Sequence, residues 1–198
     1  MTSDECLMLE FQRGSREAFE QLFARYREPL YGFFRRRLDS KERAEDLAQE
    51  TFLAVIRAIS RYEPRALVRT YLYGIALKLL AAERRKQFGK ALPTQARQEP
   101  TSDNASDTTL WVTLWVRQAI NRLDAPEREI LMLREYEQLS YSEIAELLRL
   151  PVNTVRSRLF RSRMALKSYL EPAGKLHAAV PVGEAPEPEA VEETENEA

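Results

Sequence analysis

Between Asn153 and Arg161 the chain places an amide, a hydroxyl and several guanidinium groups at helical spacing. Asn153, Ser157, Phe160 and Arg161 project to one side, with Arg156 and Arg158 flanking them. These groups match the edges of DNA bases. A bidentate Asn or Arg contact in the major groove discriminates by about 1–3 kcal/mol per base, and the remaining cations suit phosphates. From Val152 to Leu170 there are five basic residues (Arg156, Arg158, Arg161, Arg163, Lys167) and no acidic one. A solvated basic helix of an ordinary bundle would carry the same run, so the elements that hold it decide.

Those elements have the grammar of a helix-turn-helix. Ser140 and Glu143 form a capping-box pair, which predicts a helix from Tyr141 with Ile144, Ala145 and Leu148 on one face. Pro151 cannot continue that helix but fits the first turn of a new one, so the turn falls at Arg149 and Leu150. Val155, Leu159, Ser162 and Leu166 then form a narrow inward stripe. The cap, the proline-led second helix and the one-signed charge together point to a DNA-reading unit.

Two further clusters lie in the first half. The stretch Arg61 to Arg69, RYEPRALVR, reads as a loop at Pro64 with a tyrosine among three arginines. Aromatic and arginine groups so close can stack and hydrogen-bond an unpaired base, or they can pack the end of a helix. After it, Thr70 can cap a helix carrying Tyr71, Leu72, Ile75, Ala76, Leu79 and Leu80. That helix ends in Arg84, Arg85 and Lys86, which suit a helix C-terminus and equally a phosphate backbone. Upstream, Asp39 and Glu42 predict a cap for a helix from about Ser40 to Ser60. It buries Ala44, Leu47, Ala48, Thr51, Phe52, Val55 and Ile59 and turns Glu45, Asp46, Gln49 and Glu50 outward. Such a face is a wet helix surface or a dock for a basic partner.

Composition favours helices: 44% hydrophobic and 31% charged residues with only 6 glycines, and little strand-like alternation. The net charge of −1 hides an asymmetry. Residues 171–198 hold 8 acidic residues and one lysine, a net −7, so the remaining chain carries −1 − (−7) = +6. The single Cys6 and single His177 exclude a disulfide framework and argue against a metal site. With no Gly-rich phosphate loop and no spaced acid, base or nucleophile, neither an enzyme nor a cofactor is expected. No signal-like start or apolar run of membrane-spanning length is present, so a cytoplasmic protein without membrane insertion is expected.

Elsewhere, Gly14-Ser15 opens a helical stretch with Phe19, Leu22, Phe23 and Tyr26, and Pro29 kinks it or begins a second helix. The stretch from about Gln87 to Thr109 is turn-rich. Periodicity returns at Leu110, Trp111, Leu114, Trp115, Ala119 and Leu123, and Asp124 with Glu127 predicts the next helix start. The expected fold is all-α, with two small helical domains at 10–87 and 110–170, a flexible linker at 88–109 and a disordered acidic tail at 171–198. The tail can solubilise the protein or compete weakly for its basic faces.

With both halves in view, AFEQLFARYREPLYGFFRRRL, AEDLAQETFLAVIRAI with YLYGIALKLLAAERR, and INRLDAPEREILMLREYEQLSYSEIAELLRLPVNTVRSRLFRSRMALKSYL resemble the extracytoplasmic-function (ECF) sigma factors, the two-domain promoter-recognition subunits of bacterial RNA polymerase. The resemblance implies that sigma domain two docks through Glu45, Asp46, Leu47, Gln49 and Glu50 on the clamp helices of the largest subunit of core RNA polymerase. It implies that Arg61, Tyr62, Arg65, Arg69, Tyr71, Lys78, Arg84 and Arg85 open and read the minus-ten element. It also implies that Asn153, Thr154, Arg156, Ser157, Arg158 and Arg161 of sigma domain four read the minus-thirty-five element, that this domain rests on the flap of the second large subunit, and that an anti-sigma factor is a possible partner. The chain departs from the family pattern at Tyr71, Lys78 and Ala82, and at Arg149, where the turn commonly holds glycine. A stand-alone helix-turn-helix repressor or activator is the alternative.

Overall fold

The computed structural model describes the backbone of residues 3–88 and 107–176, with side chains at 3–87 and 111–171. Eight α-helices and no strand are found among the described residues: α1 (Asp4–Gln12), α2 (Arg16–Arg35), α3 (Lys41–Ala58), α4 (Val68–Phe88), α5 (Asp107–Asn121), α6 (Ala125–Glu135), α7 (Tyr141–Leu148) and α8 (Val152–Leu176), with a 3-10 turn at Ile59–Arg61. The linker lies almost wholly outside the described residues, and so does the tail beyond 176. The expected boundary at Leu170 is passed, because α8 runs on to Leu176.

Local chemistry places these elements. Ser15 accepts from the Ala18 amide and opens α2. Pro29 neither ends nor splits that helix. The roughly 3 kcal/mol that an interior proline costs is offset by burial of Tyr26, Leu30, Phe33 and Phe34 around it. The α3 cap is Ser40 rather than Asp39: its hydroxyl accepts from the Arg43 amide and also donates to Glu42. At α6 Asp124 occupies the cap position without a side-chain bond, so the expected box with Glu127 does not form. α4 begins at Val68, two residues before Thr70. Thr70 is buried and points its hydroxyl at Glu143 instead of capping. α1, capped by Ser3, had no periodic signature and is found only by its packing on α2 and α4, with Leu7 and Met8 buried.

α3 packs as its pattern requires, with Ala44, Leu47, Ala48, Thr51, Phe52 and Val55 buried and Ile59 half-buried. Arg43 of α3 reaches Glu83 of α4 at 2.7 Å and holds that carboxyl below its usual range. In the second half α8 lies against α5, α6 and α7. The two halves are not separate bodies: Leu147 of α7 stands 3.6 Å from where a Cβ on Gly74 of α4 would sit, and the buried apolar residues of both halves join into one core. No helix among the described residues is long and apolar enough to cross a membrane.

Candidate nucleic-acid interface

The capping box at the start of α7 is complete. Ser140 Oγ accepts from the Glu143 amide at 3.2 Å, and Glu143 Oε2 accepts from the Ser140 amide at 2.8 Å. α7 closes on Arg149 in the left-handed conformation (φ 54°), and the Leu150 amide donates back to the Ala145 carbonyl at 2.9 Å. Pro151 then starts the next turn, its carbonyl accepting from Thr154 and Val155. α8 is seated by Val155, Leu159 and Ser162, all fully buried. The Ser162 hydroxyl lies 2.8 Å from the Arg158 carbonyl and 3.1 Å from that of Glu127, which ties α8 to α6.

This seating turns the opposite side of α8 to solvent. Asn153, Arg156, Ser157, Phe160 and Arg161 line one shallow, open depression, with Phe160 66% exposed. Thr154 and Arg158 are half-buried at its margins. Arg156 stands 3.5 Å from Asn153 Oδ1, and Arg161 pairs with Glu127 of α6 at 3.3 Å. The predicted readers in α8 are thus on one face. Phe160 was not among them, although its outward position was legible from the spacing; it stands as an exposed ring among the polar groups.

The first-half cluster is brought together in part. Arg61, Tyr62, Arg65, Tyr71 and Lys78 line one cavity of about 830 Å³ between the loop after α3 and the side of α4. Tyr62 is buried rather than offered: its ring meets that of Tyr71 edge-on at 5.4 Å, and burial, then Glu5 and Tyr71, push its hydroxyl up. Arg65 pairs with Glu63 at 2.5 Å. Arg69 lies apart from this cavity, in the first turn of α4, where it grips Glu143 with two bonds of 2.7 and 2.8 Å. Arg84 and Arg85 are exposed further along α4. Glu146, Leu147, Leu148 and Arg149 of the helix-turn-helix form the cavity's far wall, a juxtaposition no local pattern announces.

On α3, Glu45, Asp46, Gln49 and Glu50 are exposed, and Asp46 keeps one distant ion pair, 3.4 Å to Arg43. Leu47 lies where the helical period puts it, in the core at 1% exposure, so the direct docking contact that the resemblance implied for it is not available and it can only support that face. Sequence reasoning missed Leu53 and Ile56, which continue the outward face as exposed apolar residues, and a 410 Å³ cleft between α2 and α3 lined by Phe23, Tyr31, Gln49 and Phe52.

The Sigma-70 region 2 family model matches residues 22–88, which span α2 to α4, and the Sigma-70 region 4 model matches residues 113–166, which span the helix-turn-helix. The chain is 31% identical over 190 residues to the RNA polymerase sigma-H factor of Pseudomonas aeruginosa, covering 85% of this chain and 94% of the relative. It is 30% identical over 193 residues to the ECF RNA polymerase sigma-E factor of Haemophilus influenzae, covering 86% and 96%. The chain belongs to the ECF sigma factors. Solved structures share the fold: CnrH in complex with the cytosolic domain of CnrY superposes with a TM-score of 0.68 at 24% identity over 86% of this sigma factor and 99% of that chain. The sigma factor RpoE of Bartonella quintana, solved with the anti-sigma factor NepR, gives 0.61 at 22% identity over 77% and 96%. In this sigma factor the two matched regions hold the two candidate clusters, one on α8 and one between α3 and α4.

Proposed function

We propose that this sigma factor binds core RNA polymerase through the exposed acidic and amide groups of α3 and directs it to promoters read by its two halves. The observation that carries this reading is the outward face of α8: Asn153, Arg156, Ser157 and Arg161 stand together, exposed, on a helix that a complete capping box and a proline-led turn hold in place. The amide and guanidinium groups read base edges of the minus-thirty-five element, Phe160 meets a thymine methyl, and Thr154 and Arg158 contact the flanking backbone.

At the minus-ten element Arg61, Arg65 and Lys78 hold the strand by charge while Tyr71 offers a ring for an unstacked base. Arg69, Arg84 and Arg85 extend the cationic track. Tyr62, buried beneath Tyr71, sets that ring's height. Glu45, Asp46, Gln49 and Glu50 dock on basic groups of the polymerase clamp, with Leu47 beneath them and Leu53 and Ile56 adding apolar contact. The working units are a first domain over residues 10–87 and a second over 110–170, acting in the cytoplasm and doing no covalent chemistry. An anti-sigma factor as a further partner is supported by the solved RpoE complex, whose partner is of that kind.

Run-off transcription with bacterial core polymerase on genomic fragments tests this. Product appearing only when the protein is added, and lost with Asp46→Ala or Arg156→Ala, is expected. No product together with no comigration with core polymerase overturns it and leaves the stand-alone regulator.

A further inference from the structure

The residues that follow α8 carry the charge that its outer face lacks. Val152 to Leu170 hold five cations and no acid, whereas His177 to Ala198 hold seven glutamates, from Glu184 to Glu197, and no lysine or arginine. On the helix itself Arg156 meets no carboxylate among the described residues; its one bond is the 3.5 Å contact with Asn153. Arg161 has only Glu127, at 3.3 Å, and its side chain stays mostly exposed. Beside these cations Phe160 and Met164, one helical turn apart, are both more than half exposed. The face thus joins uncommitted positive charge to an exposed apolar step. The following segment complements both, with Val180 and Val182 ahead of the glutamates and Val191 among them.

The two are within reach of each other. At about 1.5 Å per residue, Met164 lies about 18 Å, Arg161 about 22 Å and Arg156 about 30 Å back along the axis from Leu176, where α8 stops. At about 3.3 Å per residue, a chain leaving Leu176 spans up to about 20 Å by Val182, about 26 Å by Glu184 and about 43 Å by Glu189. The order matches as well: the valines come level with Met164 and Phe160, and the glutamates with Arg161 and Arg156. Resting on the reading of α8 as the minus-thirty-five face, we propose that residues 180–193 run back along α8 and occupy this face in the free protein, so that promoter DNA must displace them. The tether favours α8 over every other basic surface, because α8 is the helix that the segment leaves.

Tethering also sets the strength. A short tether gives an effective concentration on the order of 1 mM, and a non-specific polyanion contact has a dissociation constant of about 0.1 mM. The ratio of about ten leaves the face open in roughly one molecule in eleven and weakens apparent DNA affinity about tenfold. Charge leads the contact, and the Debye length falls from about 10 Å at 0.1 M salt to about 3 Å at 1 M, so the handicap fades as salt rises.

The test uses the full chain. Phe160 is replaced by the photoreactive p-benzoylphenylalanine, dilute protein is illuminated without DNA, and the cross-linked monomer is mapped by mass spectrometry. The joined peptides should lie within residues 178–198. Their yield should fall steeply at about 1 M salt and in Glu187→Gln/Glu189→Gln/Glu192→Gln/Glu193→Gln. The same four substitutions in a chain that keeps Phe160 should tighten binding of a labelled duplex roughly five- to tenfold at about 0.05 M salt and less than about twofold at about 0.5 M. That duplex is the upstream half of a fragment that supports run-off transcription. Cross-links from position 160 only to the first half of the chain, or only between two copies, overturn the contact. So does equal affinity of variant and wild type for the duplex at low salt. If no fragment supports transcription, the sigma-factor reading fails instead, and the cross-linking decides the contact by itself.

Discussion

Replacing Arg156 with alanine separates recognition from folding more cleanly than any other change in α8. The guanidinium is exposed, and its hydrogen bond to Asn153 Oδ1, at 3.5 Å, is at the outer limit of a useful one. Truncation therefore leaves no cavity and no orphaned partner, and unfolding free energy should change by less than about 0.5 kcal/mol. On DNA the same side chain, if it reads a base bidentately, contributes about 1–3 kcal/mol, which is roughly a 5- to 150-fold loss of affinity. Anisotropy of a labelled promoter duplex with the holoenzyme, at several salt concentrations, reads this directly. A loss confined to one base position, with the salt slope unchanged, identifies a base contact. A uniform loss with the slope reduced by about 0.9 identifies a phosphate contact. Wild-type affinity on every sequence, or a shift in urea stability above about 1 kcal/mol, refutes the placement of Arg156 on the reading face.

Three other outcomes follow from particular residues. Leu159→Ala empties a site only 1% exposed and should cost about 2–5 kcal/mol, lowering the thermal midpoint by roughly 5–15 °C in circular dichroism; a shift below about 2 °C would contradict the seating of α8. Arg149→Gly removes a left-handed side-chain penalty at φ 54° and should stabilise by about 0.5–1 kcal/mol, measured by urea unfolding, whereas destabilisation would mean the guanidinium holds something here. Burial pushes the Glu143 carboxyl up, but the Ser140 hydroxyl and amide and the Arg69 guanidinium outweigh it and leave the group below its ordinary 4.5. A lowered folded-state value means that its contribution is complete above 4.5 and is lost as pH falls below it. The contribution of Glu143 to urea stability should therefore be constant from pH 7 to 5 and decline at lower pH; an acid decline that is the same in Glu143→Gln as in wild type assigns it to other groups.

Much of the fold was legible because it is written in local chemistry. The Ser140–Glu143 box, the Pro151 restart and the inward stripe of Val155, Leu159 and Ser162 depend on neighbours within one or two turns, and each lies where its spacing puts it. Buried and outward faces of α3 followed from helical period for the same reason. Caps were less secure. Ser40 displaced Asp39, and Asp124 made no cap bond, since adjacent residues compete for one orphan amide and small backbone differences decide. Of the two expectations for Pro29, a kink or the start of a second helix, the second fails because local propensity says nothing of the aromatic core that keeps α2 continuous through it.

By itself, then, the sequence determined an all-helical chain, the helix-turn-helix, the outward groups of α8 and α3 and the basic character of the folded part, because periodicity, caps and charge act over a few residues. Only the tertiary structure decided that Tyr62 lies inside, that Phe160 joins the polar groups lining the α8 depression, and that Arg69 is held by Glu143, 74 residues away. The pairing of Arg37 with Glu137 spans 100 residues and leaves no mark on either local pattern. Its partners are chosen by which surfaces meet when two amphipathic bundles bury their remaining apolar faces together, and that choice is made in three dimensions.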